Sequence, residues 1–266
     1  MKKIAFLFLI IDNPYFPKIW DKYFKNNKGK YNIYIHPKFP EKLTWKKKCM
    51  IKNLKETSWG FITEAYRELF KEAYKDKDNY KFVAITESCV PIQSFDNFYN
   101  TAISEPNSWI RLMRLTRYDR EIRLKVDGNF IKHSASFCLN RQHVKLLLIR
   151  KKQMSFFHKI PSGDEFFLST LQPLKNYTDF PVTYYDWDWT NEQLQIIKNK
   201  MKHTQNEDEY VKLKQEFESI AKHPKTIVNV KEDLDKIKNC KSFFYRKFDR
   251  TSNIEKYWKK IISHHS

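Results

Sequence analysis

Glycine is scarce in this 266-residue chain: Gly29, Gly60, Gly128 and Gly163 are the only four, and they lie far apart. No GxGxxG or GxxxxGK[ST] loop exists, so a bound phosphate has to be met by side chains or helix ends. The four cysteines, Cys49, Cys89, Cys138 and Cys240, form no CxxC or CxxH pair. That spacing speaks against structural zinc and for reduced, mostly buried thiols. No apolar run approaches the roughly 18 residues of a membrane span. Acidic residues are also short, 31 against 50 Lys and Arg, which leaves a formal charge of +19. Such a field attracts nucleic acid, anionic lipid or a phosphorylated small molecule. The basic residues are dispersed in small groups such as Lys46 to Lys48 and Arg150 to Lys152. Without zinc-finger spacing, an RNP-like strand or an isolated basic helix, stable nucleic-acid binding is a secondary reading.

What the chain does have is aromatic mass: 21 Phe, 15 Tyr and 7 Trp, enough for one large core. The start carries an apolar run from Ile4 to Ile11, stopped by Asp12, Asn13 and Pro14 without a small-residue cleavage site. Such a run suits a parallel strand covered on both faces. With no leader or anchor in view, a protein used on the cytoplasmic side is expected. Phe16, Trp20 and Phe24 recur at helical spacing, and Tyr31 to Ile35 reads as a second strand ending at His36-Pro37. A helix over Thr63 to Tyr74 and a strand over Lys81 to Thr86 repeat the βαβ pattern. After a mixed segment, Ser108 to Val126, come a strand near Phe130 to Leu139 and a helix from Arg141 to Lys151. A helix from Asp164 to Leu171 and a strand near Pro181 to Tyr185 follow. The order predicts an α/β fold with a mixed, mostly parallel sheet flanked by helices. Residues Glu192 to Lys222, rich in Glu, Lys and Gln, read as two charged amphipathic helices.

Four stretches carry chemical information: YIHPK at Tyr34 to Lys38, TESCVPI at Thr86 to Ile92, SGDEFFLSTL at Ser162 to Leu171, and SFFYRKF at Ser242 to Phe248. Ser88 has no glycine elbow, so a serine hydrolase fits poorly. Cys89 could serve as a nucleophile with His36, His133 or His143, although a packed core or pocket-wall cysteine is the plainer reading. In order and approximate spacing the four stretches resemble the core-2/I-branching β-1,6-N-acetylglucosaminyltransferase family, which includes xylosyltransferases. SWG at Ser58 to Gly60, KHSASFCLNR at Lys132 to Arg141 and the VTYYDWDW segment add to the resemblance, which spans nearly the whole chain.

The resemblance implies a GT-A-type glycosyltransferase that inverts the sugar and works without a metal or other cofactor. The donor would be a UDP-sugar carrying N-acetylglucosamine, xylose or another hexose, and the acceptor a hydroxyl of a glycan or other molecule. It divides the chain into a nucleotide-binding part (1–107), an acceptor and catalytic part (108–190), a charged helical insert (191–222) and a C-terminal basic segment closing the donor site (223–266). The family's catalytic base falls on Glu165. An acceptor hydroxyl loses its proton as it attacks the anomeric carbon, and a nearby carboxylate can take it. Ser162 is expected as the N-cap, with Asp164 and Glu165 in the first helical turn, although acidic residues there also occur as plain caps.

The departing diphosphate needs a cation or fixed basic side chains. The family's C-terminal motif puts Lys247 there, with Arg246 beside it and Lys225 as a second, loosely aligned basic residue. Glu87 and Ser88 stand where a DxD would in other GT-A enzymes. Asp186-Trp187-Asp188 has the DxD form, but lies after the proposed base and is set aside as a metal site. His36 is placed at the nucleotide-binding edge, Trp59 and Trp187 are candidate stacking surfaces, and Lys132 and Ser134 correspond loosely to the family's KxS segment. Asp119, Arg120 and Glu121 are acceptor-side candidates or a plain solvated face. The rival functions are an inactive nucleotide-sugar-binding protein and a basic nucleic-acid-binding protein.

Overall fold

The first strand, β1 (Lys3–Ile10), alternates its side chains between two separate cores, which is why its sequence is unbrokenly apolar. Ile4, Phe6, Phe8 and Ile10 enter one core, and Ala5, Leu7 and Leu9 enter the other. The computed structural model describes residues 1–115, 130–221 and 223–265. Asp119, Arg120 and Glu121 lie outside the described residues, as does the end of the Ser108 to Val126 segment.

β1 pairs in parallel with β2 (Tyr31–Pro37) and β3 (Asn79–Ile85). After the short β4 (Val90–Pro91), β5 (Ser108–Met113) and β6 (Lys132–Asn140) continue the same sheet, and β7 (Tyr177–Thr178) ends it. The order is β2-β1-β3-β6-β5-β7, with β6 alone antiparallel to its neighbours. This is the mixed, mostly parallel sheet that the sequence predicts. A smaller sheet, β4-β9-β8, joins β8 (Thr183–Tyr185) and β9 (Phe244–Arg246) in parallel beside β4.

Helices cover both faces of the main sheet. α1 (Pro17–Phe24) and α3 (Phe95–Ser104) bury Trp20, Phe24, Phe95 and Phe98 in the core that holds Phe6. α2 (Thr63–Tyr74) buries Tyr66, Leu69 and Phe70 on the other side. It is joined there by α4 (Arg141–Ile149) and α5 (Lys151–Phe156), into which the predicted Arg141 to Lys151 helix divides. The paired charged helices are α6 (Trp187–His203) and α7 (Glu207–Ile220), followed by α8 (Val230–Lys238) and α9 (Ile254–Ile262). α6 starts five residues before the expected Glu192, because Asp186 caps it by accepting a hydrogen bond from Trp189 N–H at 3.2 Å. No helix among the described residues is long and apolar enough to cross a membrane.

The predicted helix from Asp164 to Leu171 does not form. Gly163–Glu165 and Phe167–Leu171 are separate 3-10 turns. Ser162 sits in the left-handed region, with φ 55°, and makes no side-chain cap. A three-residue turn has no appreciable helix dipole, so that part of the expected support for Glu165 falls away.

Gly163 allows this geometry because a Cβ there would overlap the Phe157 carbonyl oxygen. Gly29, with φ +89°, has open space around its Cβ position and needs glycine only for its backbone. Gly163→Ala is therefore expected to cost about 3 kcal/mol in urea unfolding and Gly29→Ala about 1 kcal/mol. Equal losses at the two positions would contradict this assignment.

Candidate active site

A cavity of about 450 Å³ opens at the carboxyl ends of the parallel strands, the usual place for a ligand in an α/β sheet. Leu9 to Ile11 from the end of β1, Lys38 and Phe39 past β2, and Thr86 and Glu87 past β3 form one side. Ser134 from β6 and the Asp164-Glu165 turn form another. β6 contributes its first half because it runs opposite to its neighbours. The small sheet brings in Tyr185, Arg246 and Lys247, while Trp187, His223 and Pro224 come from the two feet of the charged helix pair.

Glu165 lies at the cavity wall with Oε2 3.4 Å from Lys132 Nζ, whose side chain is only 14% exposed. The ion pair fixes the direction of the carboxylate at the cavity wall. Asp164 lines the same cavity. Burial, and then the neighbouring Glu165 carboxylate, push its carboxyl up to about 6. Two adjacent carboxyls thus meet different surroundings in one site.

On the small sheet, Arg246 and Tyr185 sit in register. The guanidinium lies 5.4 Å from the Tyr185 ring centre, and its Nε donates to Ser88 Oγ at 3.1 Å. Tyr185 in turn shares a short hydroxyl contact with Ser136. Ser88 also accepts at its carbonyl from Phe248 N–H, at 3.2 Å, which ties the YRKF segment to the end of β3. Lys247 is half-buried, and its ammonium is pushed down from its usual value by burial and by Arg246. The Glu87 carboxylate acts on both cations, and two adjacent cations in a partly desolvated wall remain suited to receiving a further anion.

The structure therefore brings together Glu165, Asp164, Lys132, Ser134, Glu87, Trp59, Trp187, Arg246 and Lys247 at one cavity. Ser88 stands just behind its wall. Three predicted residues stand elsewhere. His36 is fully buried, with Nε2 accepting from Lys55 N–H at 2.9 Å; it anchors the loop past β2 instead of lining the nucleotide edge, and burial lowers its pKa to about 4. Lys225 is held by Asp233 at 2.6 Å and contributes nothing to the cavity wall, so its charge is already compensated. Cys89 is buried against Thr86 Oγ1 at 3.2 Å, and burial raises its thiol pKa, the wrong direction for a nucleophile. His133 and His143, its possible partners, are spent on Ser134 and Leu168 and on Ser108 and Lys175.

The DWD carboxylates are also committed. Asp186 takes Lys236 at 2.6 Å as well as capping α6, and Asp188 accepts from the Tyr184 hydroxyl at 3.1 Å. Neither lines the cavity. Among the described residues no group of three or more His, Cys, Asp and Glu is placed to hold a metal. Sequence reasoning missed Tyr185, Ser136, Lys38 and His223. Tyr185 and Lys38 fall inside the quoted VTYYDWDW and YIHPK stretches, but only the register of β8 with β9 reveals that Tyr185 meets Arg246.

An unfolded Asp carboxyl titrates near about 3.9, so folding takes up a proton at Asp164 between about pH 4 and 6. Stability is then expected to fall as pH rises through that window and to level off above it. Asp164→Asn should remove that part of the slope when urea midpoints are followed against pH. Glu165→Gln should lower the Asp164 pKa in a carboxyl NMR titration, because it removes a neighbouring negative charge. An Asp164 titration that ignores Glu165→Gln would contradict the coupling.

A profile of the Core-2/I-Branching enzyme family matches residues 4–220. The chain is also similar to a rice protein, Glycosyltransferase BC10 of Oryza sativa subsp. japonica, with 26% identity over 172 residues, 59% of this chain and 43% of that one. It thus spans less than half the length of this relative. With the family match running from β1 to the end of α7, the chain belongs to the core-2/I-branching enzyme family.

Proposed function

We propose that the protein is a glycosyltransferase that moves a sugar from a UDP-sugar to an acceptor hydroxyl by a single inverting displacement. The observation that carries this reading is the presence of a carboxylate, Glu165, paired with Lys132, and a partly buried cation pair, Arg246 and Lys247, in the wall of one cavity. The acceptor hydroxyl gives its proton to Glu165 while its oxygen bonds to the anomeric carbon. The bond from that carbon to the β-phosphate oxygen breaks, and its electron pair leaves with the nucleotide diphosphate. Arg246, held by Ser88 and Tyr185, and Lys247 neutralise the charge that gathers there. Lys132 pairs with Glu165 and fixes its direction. Family membership and the name of the rice relative support the reaction class. The choice of UDP rests on the family resemblance.

Turnover with a panel of nucleotide sugars, read by release of free nucleotide with and without EDTA, tests the reading. Glu165→Gln is expected to lower kcat by about 100-fold or more while changing donor KM little, the pattern of a lost general base. Lys247→Ala is expected to weaken UDP binding in a thermal-shift titration. Undiminished turnover in Glu165→Gln removes the base, and abolition of turnover by EDTA removes the all-side-chain leaving-group site.

A further inference from the structure

The mouth of the cavity carries side chains that the transfer chemistry does not use. Among the described residues, Ile11, Phe39, Trp59 and Met113 are large apolar side chains that remain exposed, and all four stand in the cavity wall. Trp59 keeps 74% of its surface in solvent, whereas Trp20, Trp45, Trp109 and Trp258 keep 8% or less. Phe39 N–H donates to the Ile11 carbonyl at 2.9 Å, so these two lie side by side at the ends of β2 and β1. Exposed apolar residues gathered at one place mark an interaction surface, while single scattered ones do not. Ile11 and Met113 are aliphatic and offer no flat ring on which a sugar would stack.

The chain between Phe39 and Trp59 supplies charge of one sign. Residues 38–56 hold seven lysines against Glu41 and Glu56. Lys46 is paired with Asp21 at 2.9 Å. Lys38, Lys42, Lys47, Lys48, Lys52 and Lys55 are all exposed. Lys38 and Lys42 flank the Phe39 ring, at 5.4 and 4.9 Å from its centre. Ammonium groups flanking the exposed Phe39 ring, with further exposed lysines along the same segment, match one surface in particular, a bilayer containing anionic lipid: the charges meet headgroup phosphates while the apolar groups enter the interface.

We propose that the cavity mouth docks on an anionic membrane surface, with Ile11, Phe39, Trp59 and Met113 at the boundary between headgroups and acyl chains. A soluble polyanion accounts for the lysines but leaves the aliphatic side chains without a partner. Under the transferase reading, on which this consequence alone rests, Glu165 then acts on hydroxyls presented at a membrane surface.

Co-sedimentation of the full chain with phosphatidylcholine vesicles, with and without phosphatidylglycerol, tests the proposal. The chain is expected to sediment with the anionic vesicles alone, and less so as salt rises. Joint Lys47→Glu, Lys48→Glu and Lys52→Glu changes should weaken binding about tenfold or more. The same reversal at Lys256, Lys259 and Lys260 of α9, which gives no residue to the cavity wall, should change it less than about twofold. Trp59→Phe should remove most of the blue shift in tryptophan emission on docking. Equal losses in the two triple variants, or no binding to anionic vesicles, would overturn the proposal. Matching thermal unfolding of each variant keeps folding out of the comparison. Since no turnover is measured, the result is independent of whether Glu165 is the base.

Discussion

The position of Glu165 depends on two glycines that let backbone approach backbone. Gly163 lies against the Phe157 carbonyl, and Gly60, with φ +78°, lies so close to Ser162 that a Cβ would stand 2.9 Å from its backbone nitrogen. Gly163 N–H donates to the Gly60 carbonyl at 3.2 Å, and Phe61 N–H to that of Ser58 at 3.0 Å. The turn that presents Trp59 is thereby fastened to the turn that presents Asp164 and Glu165. In a chain so poor in glycine, half of its residues of that type serve this one contact. The 3-10 turn then aims two adjacent carboxyls at the cavity, an outcome that a regular helix would have reached only with different spacing.

The rest of the site follows from how charge is distributed. Lysines that the fold needs are paired: Lys225 with Asp233 and Lys236 with Asp186, both at 2.6 Å, beside the foot of the charged helix pair. Lys225 N–H also donates to the Asp186 carbonyl at 3.0 Å, and Thr190 to that of His223 at 3.0 Å, so both ends of the helix pair are clamped where they meet the cavity. Arg246 is held by an uncharged hydroxyl and an aromatic ring. The Glu87 carboxylate acts on it as well, so the charge that Arg246 offers a ligand is partly offset.

Much of the fold was legible because burial writes a period into sequence. The apolar run of β1 and the Thr63–Tyr74 stripe of α2 were read at nearly their observed bounds. The segment around Glu165 was not, because Phe166, Phe167, Leu168 and Leu171 are buried on consecutive and spaced positions alike, which mimics a helix while two 3-10 turns do the burying. The motifs pointed to Glu165, Arg246 and Lys247, and all three line one cavity. They did not separate cavity-facing from wall-supporting residues: Ser88 stands next to cavity-lining Glu87, and His36 two residues before cavity-lining Lys38. Lys225 was misplaced for a different reason, since an ion pair with Asp233 is invisible without the fold.

The proposed chemistry makes a stereochemical commitment beyond residue roles. One carboxylate acting as base in a single displacement forces the acceptor oxygen onto the face of the sugar opposite the departing phosphate. Proton NMR of the first-formed product from an α-linked UDP-sugar reads this directly through the anomeric coupling. The account predicts a β-linked product; an α-linked one would mean that Glu165 does not act as described.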